Sequence, residues 1–207
     1  MKKNKNYGIL ASIDWNSNNW RDYPTNEDLE NVHYEYVNEK KHTFTYLNFA
    51  HDLYNGIKIN EYEALIPHFW SNLPSYEESK NVIVVFIKSY NYKNKKTYIV
   101  GFYAFPRFEK LRRQVITNTR NEIIDVNLIS QKKDIVYLES PVDISDEIIW
   151  KKILPNGKSP GKMKYNYLTN QNVKNILDII RNQNNQMKEL ISTNGIKKRI
   201  LDSLPNL

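Results

Sequence analysis

Two tryptophans on one polar loop are the side chains of this 207-residue sequence best suited to binding a flat ligand. The apolar residues 7–11 predict a buried strand, and Asp14, Trp15 and Trp20 follow it in a loop rich in asparagine. A base stacked on an aromatic ring gains about 1–3 kcal/mol, and a carboxylate or amide such as Asp14 or Asn48 can hydrogen-bond its polar edge. We therefore predict a partly exposed site for a planar ligand at this loop, without a catalytic residue.

Three more aromatic residues are candidates for the same pocket: Tyr46, Trp70 and Tyr165. Aromatic side chains also fill protein cores, and most of the 15 tyrosines are expected to pack there or on the surface. For Trp70 and Trp150, packing at the end of a barrel is the stronger alternative. The polar neighbours of the two loop tryptophans favour binding instead.

The charge of the chain favours a polyanionic partner. Its 30 Lys and Arg against 23 Asp and Glu give a formal net charge of +7, an excess that points towards nucleic acid. An AT-rich gene would raise the number of lysines as well, so charge alone does not identify the partner. The predicted phosphate contacts come from two basic segments and are Arg112, Arg113, Lys158, Lys162 and Lys164. The second segment, a Gly/Pro/Lys loop, is equally compatible with a solvated turn.

Several kinds of active site are excluded by composition and spacing. The chain has no Cys, which excludes disulfides, thiolate zinc sites and a cysteine nucleophile. Its four histidines are scattered without metal-binding spacing. Residues 157–159 resemble the end of a phosphate-binding P-loop, but Lys152 replaces the first glycine and Pro160 blocks the following helix. We predict neither a metal nor a cofactor.

The apolar patterns predict an α+β fold. About six strands, mostly sequential, stand against two or three helices, which indicates a small β-barrel flanked by helices. The clearest feature is a hairpin of residues 82–87 and 98–105, in which Gly101 marks a bulge or a close backbone approach. Two further strands are predicted over residues 122–129 and 134–138.

The remaining elements are predicted from caps and periodicity. Residues 43–49 alternate like a strand or a structured extended segment, whereas residues 60–69 follow a capping-box spacing that predicts a helix. Another helix begins at Gln171, with apolar residues at i, i+3, i+4 and i+7, and a short last helix covers residues 196–204. Thr25 is predicted to cap a short helix.

The order of three motifs resembles a known superfamily. A strand that runs into the tryptophan loop comes first, the hairpin with Gly101-Phe102-Tyr103 follows, and residues 164–169 (Lys-Tyr-Asn-Tyr-Leu-Thr) lead into a closing helix. Together they resemble the PUA-like superfamily of EVE and YTH domains, most of all the N-terminal domains of archaeal McrB-type modification-dependent restriction proteins. The resemblance spans most of residues 7–181, and residues 21–63 form a long insertion relative to a compact EVE or YTH domain.

This resemblance implies a PUA-like β-barrel that binds nucleic acid, here DNA, and flips a modified base into an aromatic cage. Trp15 and Trp20 would form cage walls, and residues 158–167 would contact the nucleic acid. Residues 1–181 would be the nucleic-acid-binding specificity domain of a restriction or defence system, and residues 182–207 a helical tail or a linker to a motor domain. Such a domain is not an enzyme, and it is a monomer that oligomerises through the motor.

Cellular location and two alternatives complete the predictions. No window approaches the about 20 apolar residues of a membrane span, and no signal segment is recognisable, so we predict a cytoplasmic protein without membrane contact. One alternative is a metal-dependent nuclease or RNA-modifying enzyme with Asp125, Glu139 or Glu78 as metal ligands. The other is a protein-interaction module whose loop tryptophans pack against a partner. The choice of DNA over RNA rests on the resemblance alone.

Overall fold

A computed structural model gives the structure of most of the chain. The described residues are 5–31, 43, 45–49, 61–64, 73–116, 121–157, 159, 165–183 and 195–205. For a few of these the backbone alone is described, namely residues 61–64, 113, 115, 116, 121, 122 and 124.

Strands and helices both occur, so the predicted α+β class is confirmed. The strands are β1 (Gly8–Ile13), β2 (Glu61–Ala64), β3 (Val84–Asn91), β4 (Lys96–Ala104), β5 (Arg107–Ile116), β6 (Asn121–Gln131), β7 (Ile135–Asp143) and β8 (Asn166–Leu168). The α-helices are α1 (Asn26–Glu30), α2 (Tyr76–Ser79), α3 (Glu147–Ile153), α4 (Asn170–Gln183) and α5 (Ile196–Ser203). Two short 3₁₀ turns cover Thr45–Asn48 and Lys132–Asp134.

The strands form two sheets. The larger sheet has five strands in the order β7-β4-β3-β1-β8, and the smaller sheet has the order β2-β6-β5. Strands β1 and β3 are parallel, whereas the other pairs are antiparallel. Each sheet ends in edge strands, so the described residues do not form the closed barrel of about six strands that the sequence predicts.

Strand β1 lies inside the larger sheet because both of its faces are apolar. All six of its residues are buried, as expected for a strand covered on both sides. On one face, Leu10 joins a core cluster that also contains Phe86 of β3 and the buried face of α4. On the other face, Ile9 joins a second cluster that also contains Trp20 and Phe49. The sheet therefore separates two hydrophobic cores.

The predicted hairpin is confirmed as β3 and β4, and Gly101 does mark a close approach. Strand β4 pairs with β3 on one side and with β7 on the other, and the register shifts between Ile99 and Gly101 in the pairing with β7. A Cβ at Gly101 would lie 2.4 Å from the Val136 carbonyl oxygen and 2.5 Å from Phe49 Cζ. Glycine is therefore required here by space.

Two predicted elements are wrong. Residues 61–64 form strand β2, not part of a helix, because they pair with β6 in the register Glu61↔Gln131 to Ala64↔Leu128; residues 65–69 lie outside the described part. Residues 45–48 form a 3₁₀ turn, not a strand, and Asn48 Nδ2 donates to the Thr45 carbonyl at 2.8 Å. Such local side-chain-to-backbone bonds compete with pairing in a sheet.

The C-terminal helix α5 packs on the core that α4 covers. Ile196, Ile200 and Leu204 are buried in that cluster. The Arg199 guanidinium donates to both carboxylate oxygens of Asp134, whose side chain is 3% exposed. The division between residues 181 and 182 stays a prediction, but the described residues of the tail share the core of the preceding segment.

Candidate functional site

The second tryptophan of the loop, Trp20, points into the protein interior. Trp20 is 1% exposed, and its Nε1 donates to the Asp14 carbonyl at 2.9 Å. Asn19 and Trp20 have positive φ values of 60° and 54°, a conformation that reverses the chain and is costly for a bulky residue. The predicted exposure of Trp20 is therefore wrong, and this side chain is part of the second core.

Trp15 keeps a half-exposed position above Trp20. The two ring centroids are 5.2 Å apart with planes at 83°, and the Trp15 centroid lies 5.7 Å from that of Tyr98. An edge-to-face pair of this kind stabilises the loop, but it does not provide two parallel walls for a base. Of the two predicted walls, only Trp15 has a surface that a ligand can reach.

The polar residues of the loop form hydrogen bonds that stabilise the loop. Ser17 donates from its backbone N and its Oγ to the two carboxylate oxygens of Asp28, at 2.9 Å and 2.7 Å. Asp28 also forms a capping box with Thr25 at the start of α1, which confirms the predicted cap. The Asn16 amide donates to the Asp22 carbonyl at 2.9 Å. The asparagine and serine content of the loop is thus explained by its own hydrogen bonds.

Asp14 is a buried carboxyl group with one oxygen unpaired. It is 3% exposed, its Oδ2 accepts from Thr43 Oγ1 at 2.8 Å, and its buried Oδ1 has no hydrogen-bond partner among the described residues. Burial raises the pKa of Asp14 from 3.8 to about 7, although hydrogen bonds from Thr43 and Thr45 lower it in part. Near neutral pH the group is therefore divided between acid and carboxylate.

Tyr46 and Asn48 lie near this carboxyl group but face the interior. They are 4% and 1% exposed, and the Asn48 carbonyl accepts from the Tyr103 hydroxyl. Thr45 connects the two predicted site residues Asp14 and Asn48, because its hydroxyl reaches Asp14 and its carbonyl accepts from Asn48. The structure therefore joins these two side chains in a buried network, whereas Trp70 lies outside the described residues.

A buried lysine beside a serine escaped the sequence predictions. Ser12 and Lys88 are register partners in the parallel pair β1 and β3, both are 1% exposed, and Lys88 Nζ donates to Ser12 Oγ. Burial lowers the pKa of Lys88 from 10.5 to about 7. The signal was available in principle, since Lys88 directly continues the apolar run of β3.

A groove beside β8 is lined by the predicted site residue Tyr165. It has a volume of about 470 Å³, within the range of about 300–1,000 Å³ typical of small-ligand sites. We call it the tyrosine groove, and its lining residues are Asn6, Leu154, Pro155, Asn156, Ser159, Tyr165, Asn166, Tyr167 and Thr169.

Two tyrosines and an amide give the tyrosine groove its chemistry. The rings of Tyr165 and Tyr167, both half-buried, lie with centroids 5.5 Å apart and planes at 81°. Between them in sequence, Asn166 has a buried Oδ1 with no hydrogen-bond partner among the described residues. Burial, followed by the nearby Tyr165 and Glu78, raises the pKa of Tyr167, so its hydroxyl stays protonated. The groove therefore combines aromatic faces, a hydrogen-bond acceptor and a hydroxyl.

Neighbouring elements fix the position of the tyrosine groove. Strand β8 pairs with β1 in the register Ile9↔Tyr167 and Leu10↔Asn166. Thr169 follows at the start of α4, where its Oγ1 accepts from the Asn172 backbone N at 3.3 Å. A strand anchored in the central sheet and a capped helix thus hold the lining residues.

The predicted phosphate contacts are only partly described. Lys158, Lys162 and Lys164 lie outside the described residues, but Ser159 and Tyr165, which flank or interrupt that segment, line the tyrosine groove. On β5, the Arg112 side chain is 83% exposed, and its Nε lies 3.6 Å from Asp125 Oδ1. Arg113 lies opposite Ile124 in the register of β5 and β6, and only its backbone is described.

The carboxylates of the nuclease alternative have other contacts. Asp125 pairs with Lys110 at 3.0 Å, Glu78 accepts from the Ser75 backbone N at 3.0 Å, and Glu139 is exposed on β7. In the part of the chain that the structure describes, no three His, Asp or Glu side chains form a group that could hold a metal ion. The alternative gains no support from these residues.

Among the helices that the structure describes, none is long and apolar enough to cross a membrane. Comparisons of the chain with protein-family models, with curated proteins and with solved structures find no match.

Proposed function

We propose that this protein is a non-catalytic nucleic-acid-binding module whose tyrosine groove receives a base. The observation that carries the proposal is a groove of about 470 Å³ lined by two half-buried tyrosines and by Asn166, whose buried Oδ1 has no hydrogen-bond partner among the described residues. A nucleobase offers a flat face for the rings and amino or imino hydrogens for the amide oxygen. A nucleobase would therefore match both the tyrosine rings and the amide oxygen of the groove.

The charge of the chain supports the same ligand class. The formal net charge is +7, and Lys158, Lys162 and Lys164 are sequence neighbours of Ser159 and Tyr165, which line the groove. Each lysine that contacts a phosphate of the bound nucleic acid would add to the salt dependence of binding.

The proposal also covers the domain family and the kind of nucleic acid bound. The order of motifs supports a PUA-like domain from a modification-dependent restriction or defence system, which would bind DNA with a modified, flipped base. The described sheets are open, so the support comes from the motifs and not from a closed barrel. Within this proposal the tyrosine groove replaces the Trp15 and Trp20 pair as the base site, because Trp20 is 1% exposed.

The test is a binding panel with purified protein. Fluorescence anisotropy would measure Kd for single strands and for unmodified, methylcytosine and methyladenine duplexes, at two salt concentrations. We expect Tyr165→Ala to weaken binding by about 5- to 150-fold, the equivalent of one lost stack of about 1–3 kcal/mol. Tyr165→Phe is the matched control that keeps the ring and should stay within about twofold of the wild type, as should Trp15→Ala.

Three results would contradict this proposal. If no probe binds at low salt, a protein-interaction module becomes the better account. If magnesium causes cleavage of a bound probe, the nuclease alternative is favoured. If Trp15→Ala weakens binding more than Tyr165→Ala does, the base site lies at the tryptophan loop, as the sequence predicted.

A further inference from the structure

The ribbon formed by β5 and β6 extends beyond the core. Near its base, Phe108 packs on the second core cluster, and Val126 and Leu128 are fully buried. Towards its tip, Gln114 is exposed and Ile123 is 74% exposed. A two-stranded ribbon is marginally stable alone in water, so an end whose described side chains Gln114 and Ile123 are exposed indicates a surface for a partner.

One face of the ribbon tip carries hydrogen-bonding and apolar side chains together. Arg112 is the register partner of Asp125, and Gln114 is the partner of Ile123. Directly paired residues project from the same face of a sheet, so these four side chains form one surface. We call this surface the ribbon face.

Asp125, the carboxylate of the ribbon face, lies close to two basic side chains of β5. Asp125 is 14% exposed, whereas the Arg112 side chain is 83% exposed. Asp125 Oδ2 lies 3.0 Å from Lys110 Nζ, and its Oδ1 lies 3.6 Å from Arg112 Nε. One partly buried acid thus orients two exposed basic side chains, and the excess of one positive charge over this acid is left for an anion.

The charge of β5 complements a polyanion. Residues 107–116 contain a single acid, Glu109, against four basic residues, which are Arg107, Lys110, Arg112 and Arg113. Phosphates on both sides of a DNA groove would be neutralised by such an excess.

The dimensions and chemistry of the ribbon fit the major groove of DNA. That groove is about 12 Å wide and admits a two-stranded ribbon, in which Arg contacts guanine, Gln contacts adenine and an apolar side chain contacts the thymine methyl group. The six residues from Leu111 to Ile116 span about 20 Å. The major groove of duplex RNA is deep and narrow, which would exclude the ribbon.

We propose that the ribbon face lies in the major groove of duplex DNA while the tyrosine groove receives the base. This inference rests on the proposed function and adds a second contact, one that selects duplex DNA over duplex RNA and distinguishes neighbouring base pairs. The two contacts are separable, because a single strand can occupy the tyrosine groove without offering a major groove.

The test compares ribbon variants of the full chain on three probes of one sequence: duplex DNA, duplex RNA and single-stranded DNA. We expect the double variant Arg112→Ala/Gln114→Ala to weaken duplex DNA binding at least tenfold and to change single-strand binding less than twofold. Lys151→Ala is the control for the lost charge, since Lys151 is an exposed cation on α3 that pairs with Glu147. It should weaken duplex binding less than threefold. Because Arg112 and Gln114 are exposed, the melting temperature should shift by less than about 2 °C.

Each outcome has a defined meaning. If the double variant behaves like Lys151→Ala, or if the wild type binds duplex RNA as tightly as duplex DNA, the ribbon inference is overturned. Self-association that Ile123→Ser abolishes would assign the ribbon to a protein contact and would also overturn it. If the wild type binds single strands in a Tyr165-dependent way, the proposed function stands whatever the ribbon variants do. If the wild type binds none of the probes, the proposed function fails first.

Discussion

Gly101→Ala is expected to abolish stable folding. The added Cβ would lie 2.4 Å from a backbone carbonyl oxygen, that of Val136, and 2.5 Å from Phe49 Cζ. The backbone cannot move aside easily, because β4 is paired on both edges, with β3 and with β7. We expect a loss of more than about 4 kcal/mol in the free energy of unfolding, the range of severe core overpacking and strain. Urea unfolding followed by circular dichroism would measure it.

Gly157→Ala is the control for the general effect of replacing a glycine. Gly157 has a positive φ of 58°, but the nearest heavy atom to an added Cβ is Lys151 Cγ at 3.4 Å. The cost should therefore be confined to the backbone conformation, about 1–2 kcal/mol. Equal losses for the two variants would contradict the close approach at Gly101.

Asp14→Asn is expected to gain stability over the wild type as the pH rises from about 4 to about 7. The pKa of Asp14 is about 7 in the folded protein and 3.8 in the reference state. Between these values the folded state binds more protons than the unfolded state, so wild-type stability falls with rising pH. Asparagine removes the titration and keeps an oxygen for Thr43. The difference between variant and wild type should grow by about 4 kcal/mol across this range.

Lys88→Met tests how a buried group with a lowered pKa changes the pH dependence of stability, an effect opposite in sign to that of Asp14. The pKa of Lys88 is lowered from 10.5 to about 7, so between these values the unfolded state binds more protons. Wild-type stability therefore recovers as the pH rises from about 7 to about 10, and Lys88→Met should lack that recovery. Unfolding free energies at pH 4, 6, 8 and 10 would separate the two groups. Parallel curves for the wild type and Asp14→Asn from pH 4 to 8 would show that Asp14 titrates like a solvated carboxyl group.

Local signals predicted the elements whose stability is local. Helix α4 follows from apolar periodicity, and its predicted residues Val173, Ile176, Leu177 and Ile180 are all buried. The β3–β4 hairpin follows from two apolar runs around a basic turn. In contrast, residues 61–64 have the spacing of a capping box but pair with β6, a partner more than 60 positions away. Pairing over such distances overrides local preference and is invisible in a short window.

The candidate site was harder to predict because contacts decide which polar residues are exposed. Asparagine and serine around Trp20 suggested an exposed loop. Instead, Asn16 donates a hydrogen bond to the Asp22 carbonyl within the loop, and Ser17 donates to Asp28, which belongs to the capping box of α1. Tyr165 was a predicted site residue, but its groove is formed by three segments distant in sequence: the residues after α3, the residues of β8 and Asn6. Lys88 and Ser12 are 76 residues apart and meet only through the register of two parallel strands.

The place of β1 in the larger sheet has a consequence for synthesis of the chain. Its neighbours are β3 and β8, so Ile9 pairs with Val85 and with Tyr167. On the ribosome, β1 emerges before both of its partners and remains without its parallel partner until residues 84–89 follow, and without its antiparallel partner until residues 166–168 follow. Contacts this distant in sequence form slowly and leave apolar strands exposed to aggregation meanwhile. Strand β1 is thus made before both of its partners and is fully paired only when β8 has been made, and nascent chains halted before residue 166 should depend most on chaperones.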